Sequence, residues 1–312
     1  MHSYLEFATK EQLDDIYAEF GTNEESLQND ARYLKEWMEK QPHLPNITDE
    51  EFLMNFLLRC KNSLERTKQQ LDIYYTHRAV AADIFLNRHP QSENFLKLSE
   101  VLYASTLVPL PKLTTSGQRV WIFKITENIK KYQPKPETLM EAVTMIVDIS
   151  IKNDRVKSCI LIFDLENITM AFGAIIFAVL KKLVEFSTKV APFRIDKIYV
   201  LNLTPAFEPI VTFGKNLVKH KLAQRIEIWK KKPTDLIEVI PKDILTTEYG
   251  GHEKNTNELK ELGLKYMNDF IDWIEKEKTM MTDLQKIPDS NELNTNFTEY
   301  GMEGSFRKIT ID

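Results

Sequence analysis

Apolar side chains recur at three- and four-residue steps through the first ninety residues, which is the spacing of one face of a helix. The pattern is plain in EESLQNDARYLKEWMEKQ (24–41) and in FLMNFLLR (52–59). Thr48 and Glu51 form a capping box before the second stretch, and Ser63 can cap a further helix. This part of the sequence shows no strand pattern, so we predict a bundle of helices.

The period of the pattern changes at about Gln118. Four short runs rich in β-branched and aromatic residues have the length of strands: RVWIFKI, CILIFDL, KIYVLNL and RIEIW. Helix-length segments separate them, including PETLMEAVTMIVDIS and a stretch from Phe207 to Leu222. Strands that alternate with helices predict an α/β fold with a mainly parallel sheet and right-handed crossovers. A further amphipathic helix follows Gly250 and Gly251, and we expect an extended C-terminal tail.

One predicted helix begins with eleven apolar or glycine residues, MAFGAIIFAVL, from Met170 to Leu180. The run is too short to cross a membrane, which requires about 20 apolar residues. Because it is apolar on all sides, the pattern predicts a helix with no face toward water. Either the core of the protein or an apolar ligand would have to cover it.

The composition narrows the function classes without changing the predicted fold. Of the 312 residues, 43% are hydrophobic and 28% are charged, as in ordinary globular proteins, and the net charge of −5 argues against a general nucleic-acid binder. Cys60 and Cys159 lie beside apolar residues and are expected to be buried thiols. The N-terminus lacks the apolar core of a signal peptide and no segment reaches spanning length, so we expect a cytoplasmic protein.

The motifs of common catalytic and cofactor sites do not occur in the sequence. The histidines include no pair at i, i+4, and HExxH, CxxC, GxSxG, GxxxxGK[ST] and GxGxxG are all missing. We therefore expect no metal, no cofactor and no enzymatic activity. Asp164 and Glu166 follow a predicted strand and are either a paired acid or, as we prefer, caps of the next loop or helix. Asp148 lies in an otherwise apolar helix, where it is half-exposed, paired with a basic side chain, or a polar contact for a ligand.

The stretch from Phe207 to Leu222 has one apolar and one polar face, with Gly214 in its middle. A glycine there costs about 1 kcal/mol relative to alanine. The stretch is either an ordinary surface helix packed closely on the sheet or a movable cover with an apolar underside. Basic residues cluster at its end and just beyond it, either as a solvated face or as a binding surface: Lys215, Lys219, Lys221 and Arg225.

Together these segments resemble the CRAL-TRIO family of lipid-binding and lipid-transfer proteins, in particular its α-tocopherol transfer and retinaldehyde-binding branch. QPHLPNITDEEFLMNFLLRCKNSLERTKQQLDIYYTHR is similar to the helical N-terminal domain of that family. FDLENI, IYVLNLTPAFEPIV, KHKLAQRIEIW and ILTTEYGG are similar to successive parts of its lipid-binding domain, with Thr246 in place of the usual proline.

The resemblance implies three regions: an N-terminal helical domain over 1–92, a lipid-binding domain over 93–252, and a C-terminal helix with an extended tail over 253–312. It implies a sheet with helices on one side that encloses an apolar lipid cavity. A gate helix closes this cavity in the family, and the stretch from Phe207 to Leu222 matches that helix.

The resemblance also implies two sets of binding residues. The first set matches the lining of the lipid cavity: Thr144, Asp148, Phe163, Ile175, Leu183, Phe186, Phe193, Ile198, Phe207, Ile210, Val211, Gly214 and Val218. Thr144 and Asp148 match serines near the polar end of the ligand, and an acid there argues against tocopherol itself. Gly214 and Ala191 are smaller than their counterparts, so the cavity is expected to differ in shape.

The second set matches a patch that binds phosphoinositide head groups: Lys61, Arg194, Lys221 and Arg225. Asp196 replaces a further arginine of that patch, which weakens the expectation. Lys197 is the neighbour that would compensate.

The expected function is therefore the carriage of a hydrophobic small molecule between membranes, with peripheral and transient docking on anionic, phosphoinositide-bearing surfaces. The alternative is a lipid-sensing regulatory module that binds a protein partner through the tail that ends in GSFRKITID. An apolar lining selects mainly by volume and shape. The sequence therefore leaves the ligand open among tocopherols, retinoids, carotenoids, sterol-like hormones and phospholipids.

Overall fold

The computed structural model describes residues 4–86, 88, 104–131 and 134–287. Within these ranges, no helix combines the length and the apolar character that crossing a membrane requires. Cys60 and Cys159 are both buried and both free, as the sequence predicts.

Helices make up the N-terminal part of the described chain: α1 (Lys10–Glu19), α2 (Glu24–Glu39), α3 (Glu50–Arg59), α4 (Leu64–Val80) and α5 (Ala82–Leu86). The predicted cap of α4 is confirmed, since the Ser63 side chain accepts a hydrogen bond from the backbone N–H of Arg66. The predicted cap of α3 is wrong by one residue. Asp49, rather than Thr48, accepts a hydrogen bond from the N–H of Phe52, because aspartate is at least as good an N-cap as threonine.

The sheet contains five strands in the order β1-β2-β3-β4-β5: Ser105–Leu113, Gln118–Ile125, Ser158–Asp164, Ile195–Leu201 and Ile226–Ile228. β1 pairs with β2 antiparallel, and the other pairs are parallel. The predicted α/β class and mainly parallel sheet are confirmed. The sequence pattern missed β1, which contains Pro109 and Pro111. Its register against β2 shifts between Pro109 and Leu113, an irregularity that an edge strand tolerates.

Helices α6 (Pro136–Asn153), α7 (Met170–Glu185) and α8 (Glu208–Leu217) connect the parallel strands. α7 continues into a π-helical turn, Phe186–Val190, and α8 is followed by the short α9, His220–Ala223. The sequence predicted one helix through this last region. Instead, the β-branched Val218 is extended (φ −104°, ψ 158°) and ends α8.

Two apolar layers cover the sheet. On one face, residues such as Val120, Ile122 and Ile162 pack against the segment from Trp229 to Leu259, which leads into α10 (Thr256–Asn268) and α11 (Ile271–Glu277). On the other face, alternate residues of the same strands point toward α7 and α8. This second face is the one on which the family resemblance places a ligand.

The N-terminal helices are joined to α6 by buried polar contacts. The Asn55 side chain donates to the carbonyl of Lys152 at 2.8 Å, and the Arg59 guanidinium donates to the carbonyls of Ser150 at 2.8 Å and Asp154 at 3.0 Å. These contacts attach the helices firmly to the sheet layer. The division of the chain at residue 92 stays a prediction.

Candidate functional site

The structure brings several predicted ligand residues into one apolar cluster beneath α7 and α8. They come from four different elements and the turn before β4: Phe163, Ile175, Phe193, Ile198 and Val211. Phe186 and Leu183 belong instead to the larger cluster that reaches α4 and α6, and Ile175 and Phe193 touch both clusters. The predicted ligand residues therefore follow a continuous apolar path from α8 to α6.

Two glycines lie where α8 and the residue before it pack against α7, and only one of them is required there. A Cβ at Gly173 would lie 2.6 Å from Cε1 of Phe207, so only glycine allows this ring to seat on α7. A Cβ at Gly214 would lie 3.6 Å from Cδ2 of Leu180, an ordinary contact distance. Sequence reasoning singled out Gly214 and missed Gly173, which looked like one more member of an apolar run.

α8 is attached loosely. Its ten residues are all described and none is fully buried, although Ile210 and Val211 turn toward the cluster. The ring of Phe213 packs against that of Phe177 on α7, with centroids 5.1 Å apart. Val218 is half-buried beyond the end of the helix. An apolar underside on a lightly packed helix is the arrangement that a movable cover needs.

The expectation that α7 has no face toward water is wrong. Met170 is 69% exposed and Phe177 is 50% exposed, and the small side chains Ala171, Ala174 and Ala178 near them are exposed as well. Lys181 and Lys182 continue this surface. The uniform pattern misled the prediction because alanine and glycine count as apolar but gain little from burial. The result is an exposed apolar strip with a basic end.

Asp148 is fully buried and forms ion pairs with two arginines. Its Oδ2 accepts from Nη2 of Arg78 and from Nη1 of Arg88, each at 2.6 Å, and its Oδ1 accepts from the hydroxyl of Tyr74 at 2.6 Å. Arg78 also pairs with Glu277 at 3.1 Å. Of the three alternatives for Asp148, half-exposure is wrong and pairing with basic side chains is correct. Thr144, one turn earlier on α6, is buried and donates to the carbonyl of Glu141.

Burial and charge shift the pKa values of this cluster. Burial raises the pKa of Asp148, but Arg78 and Arg88 and the Tyr74 hydroxyl outweigh it and hold the pKa below its usual value. Burial lowers the pKa of His77, on the neighbouring turn of α4, to about 4. At neutral pH the cluster therefore contains an ionised Asp148 and a neutral imidazole.

The predicted phosphoinositide residues Arg194 and Arg225 lie near each other, but each has an acidic neighbour. Arg194 is 3.7 Å from Glu19 of α1 and its guanidinium stacks on the Phe20 ring at 4.6 Å. Arg225 is 3.8 Å from Asp196. Their positive charge is therefore partly offset within the protein.

The remaining basic residues of this group are either exposed or engaged with an acidic neighbour. Lys61 and Lys221 are exposed. Lys197 forms an ion pair with Glu227 at 2.6 Å, so it does not compensate for Asp196. Burial lowers the pKa of Arg194, and the charges of Arg66, which sequence reasoning missed, and of Arg225 add to this effect. The sequence does not reveal Arg66 as a neighbour of Arg194, because the two residues are far apart along the chain.

Asp164 has a structural role. Its carboxylate accepts from the backbone N–H of Glu166 at 3.1 Å, from Asn202 at 2.7 Å and from the Tyr249 hydroxyl at 2.9 Å. The capping interpretation is confirmed for Asp164, whereas the Glu166 carboxylate lies 3.3 Å from Nζ of Lys124. In the part of the chain that the structure describes, no group of three His, Cys, Asp or Glu side chains is placed to hold a metal ion.

A cavity of about 30 Å³ lies between β1, α6 and α10, lined by residues such as Leu107, Trp121, Ile146, Tyr266 and Met267. Its volume suits one or two water molecules rather than a lipid. None of the predicted ligand residues lines it, although the ring of its lining residue Trp121 lies 6.3 Å from that of Phe193.

Two family models match the chain. The model described as "CRAL/TRIO domain" matches residues 104–251, and the model described as "Pinta-like, UBA domain" matches residues 23–95. The first match confirms the resemblance noted in the sequence.

Curated relatives include the proteins named "Alpha-tocopherol transfer protein-like" from Homo sapiens and Mus musculus, which are 27% and 26% identical over 237 residues. The matched region covers 71% of this chain and 64% of each relative, so the chain spans less than two thirds of the length of those proteins. Among solved structures, that of Sfh5 aligns with a TM-score of 0.50 at 12% identity, covering 86% of this chain and all of Sfh5. This likeness concerns the fold.

Proposed function

We propose that the chain, whose residues 104–251 match the CRAL/TRIO domain, binds a hydrophobic small molecule between the sheet and helices α7 and α8, and that it carries this molecule between membranes. The observation that supports this most is the loosely packed α8, whose apolar underside faces Phe163 and Ile198. An ordinary core helix would bury at least some of its residues completely. A cover over an exchangeable ligand need not.

The physical case for a gated carrier follows from the cost of exposing apolar surface. A chain of sixteen carbons gains about 13 kcal/mol when it leaves water, at about 0.8 kcal/mol per methylene. A carrier must therefore enclose such a molecule almost completely, and opening in water would expose both the lining and the ligand. At a bilayer the opened surface meets hydrocarbon instead, so opening there costs far less.

A matched pair of variants on α8 tests the ligand site. Val211 contacts the apolar cluster, whereas the neighbouring Thr212 is exposed. We expect Val211→Asp to abolish uptake of a neutral fluorescent lipid probe because the carboxylate would have to be buried, and Thr212→Asp to leave uptake unchanged. Native mass spectrometry of the wild-type protein gives a second measurement. Failure to find either a co-purified lipid or uptake of any apolar probe would contradict the proposal, as would equal effects of the two variants.

We propose that the outer surface of α7 docks on an anionic membrane. Met170 and Phe177 supply exposed apolar area, and Lys181 and Lys182 lie at the end of the same strip. Each basic residue near an anionic surface contributes about 1 kcal/mol. The group of Lys61, Arg194, Lys221 and Arg225 adds to this attraction, less the effect of its acidic neighbours.

Charge variants test the docking separately from ligand binding. We expect Lys221→Glu with Arg225→Glu to slow transfer to vesicles that contain phosphoinositides while leaving probe affinity unchanged. Asp196→Asn should raise vesicle binding severalfold, because it removes the carboxylate that faces Arg225. Lys265→Glu, on α10 behind the sheet, is the control. If the double variant lost affinity for the probe as well, the two roles would not be separable as proposed.

The second candidate function is a lipid-sensing regulatory module that binds a protein partner. The tail on which it depends, ending in GSFRKITID, lies outside the described residues. Removing residues 287–312 and comparing bound proteins with those of the full chain would test it. The placement of the protein in the cytoplasm is likewise a prediction from the sequence.

A further inference from the structure

The buried cluster around Asp148 contains two arginines that differ in how fully they are paired. Arg78 donates to Asp148 and to Glu277, and its guanidinium lies 5.0 Å from the Tyr74 ring and 5.1 Å from the Phe85 ring. Arg88 donates to Asp148 through Nη1 alone. Both side chains are only 2% exposed. Arg88 is therefore as deeply buried as Arg78 but has fewer partners among the residues that the structure describes.

Asp148 has little capacity left for a ligand. Its two oxygens already accept three hydrogen bonds of 2.6 Å, and two of the donors are cationic. A carboxylate accepts about four hydrogen bonds at most. The acid that the sequence placed at the polar end of the ligand site is therefore an internal counter-ion, and a ligand would meet its partners instead.

The side edge of the Arg88 guanidinium carries two free donors. Nε and Nη2 are buried and have no hydrogen-bond acceptor among the residues that the structure describes. Leaving buried donors unsatisfied costs about 1–3 kcal/mol, and more when the group is charged. Such a group points to a missing acceptor.

The protein itself shows what fits this edge of an arginine. In the buried pair of Arg119 and Asp154, Nε and Nη2 each donate to one carboxylate oxygen at 2.9 Å. Two parallel N–H groups match the two oxygens of a carboxylate, which gives both strength and orientation. By the same geometry, the side edge of Arg88 can bind one carboxylate.

Ring contacts connect Arg88 to the predicted ligand residues. The Arg88 guanidinium lies 4.1 Å from the Phe85 ring, which packs edge-on against His77 with centroids 6.1 Å apart. The His77 ring lies 5.9 Å from that of Phe186, one of the predicted ligand residues. The cluster therefore borders the α6 end of the apolar path that begins under α8.

We propose that Arg88 binds the polar end of the ligand, and that the natural ligand is a long apolar molecule ending in a carboxylate. This inference rests on the proposed carrier function and specifies its cargo. The apolar path encloses the hydrocarbon, and the side edge of Arg88 receives both carboxylate oxygens. A neutral alcohol of the same length fills the path but leaves one or both donors without an acceptor.

The test compares hexadecanoate with hexadecanol on the full chain at pH 7.4, through displacement of the neutral fluorophore diphenylhexatriene. We expect hexadecanoate to bind at least about tenfold more tightly, as for a charge-assisted hydrogen bond. Arg88→Lys keeps the charge beside Asp148 but loses the two-pronged edge. It should bring the ratio of the two affinities close to one while the hexadecanol affinity changes less than about twofold. Arg155→Lys, in the ion pair with Glu24, is the control for replacing an arginine.

The outcomes separate this inference from the carrier proposal. Equal binding of acid and alcohol by the wild-type protein would overturn the carboxylate assignment and leave the carrier function standing. An equal loss of both affinities in Arg88→Lys would assign Arg88 a structural role, and this result would also overturn the carboxylate assignment. Binding of neither compound nor of diphenylhexatriene would refute the carrier function itself.

Discussion

Replacing His77 should make the protein lose less stability when the pH falls. Burial lowers the pKa of His77 from 6.5 to about 4, Glu185 and Asp148 oppose the shift, and Arg78 and Arg88 add to it. Between these two pH values the unfolded chain binds a proton at this residue and the folded protein does not. The His77 contribution is therefore fully present above pH 6.5 and is lost as the pH falls toward 4, where the loss levels off. One pKa unit corresponds to about 1.4 kcal/mol, so the whole loss amounts to about 3 kcal/mol.

The measurement is urea unfolding followed by circular dichroism at pH 7.5 and at pH 4.5. Other carboxylates also titrate in acid, so the informative quantity is the difference between the wild-type loss and the variant loss. We expect His77→Phe to lose about 2–3 kcal/mol less than the wild type over this interval, since phenylalanine keeps the ring contacts with Phe85 and Phe186 and cannot bind a proton. His77→Gln is the polar counterpart and should behave alike.

His252→Gln is the surface comparison, because it deletes an exposed imidazole that lies 2.8 Å from Asp243. A His77→Phe protein that lost as much stability as the wild type, within about 0.5 kcal/mol, would refute the reasoning, because the slope with pH comes only from groups whose proton binding differs between the two states.

Two glycine variants give further predictions. Gly173→Ala should displace Phe207 and weaken the closed position of α8 by about 1–3 kcal/mol, the usual cost of overpacking, so that a bound fluorescent probe dissociates faster. Gly214→Ala is its control, and equal rates for the two would contradict the role of the Phe207 contact. Gly251→Ala places a Cβ 1.9 Å from the carbonyl oxygen of Leu245 and should reduce the free energy of unfolding by about 3 kcal/mol in urea titrations, whereas a loss below about 1 kcal/mol would show that the backbone there yields easily.

The parts of the fold that the sequence predicts well are those in which local pattern and tertiary packing agree. β2, β3 and β4 are continuous β-branched and aromatic runs because both faces of the sheet are covered, and such runs are recognisable without knowledge of their neighbours. β1 was not recognisable, because its two prolines are acceptable only on an edge strand, and its position at the edge is a property of the whole sheet. The end of α8 at Val218 was not recognisable either, because no proline or glycine marks it in the sequence.

The candidate site was predictable only in its apolar part. Residues such as Phe163 and Ile198 follow from strand alternation and the family pattern. The partners of Asp148 do not, because Arg78 lies 70 positions away in sequence and Arg88 lies 60 positions away. The sequence could show only that a buried acid needs a partner. Likewise, the acidic neighbours of the basic residues come from α1 and β4, which meet only after folding.

The hydrogen bonds from Asn55 and Arg59 to the backbone of α6 have a consequence for how the polypeptide can be divided. Separating the two halves would leave the buried Arg59 guanidinium without its carbonyl acceptors, which costs free energy. Each half is therefore less stable alone than in the whole chain. Two separately produced fragments, one ending before and one beginning after residue 92, should instead recognise each other and assemble into a working whole. Fused to the halves of a reporter, they would form a complementation pair whose assembly is sensitive to Arg59.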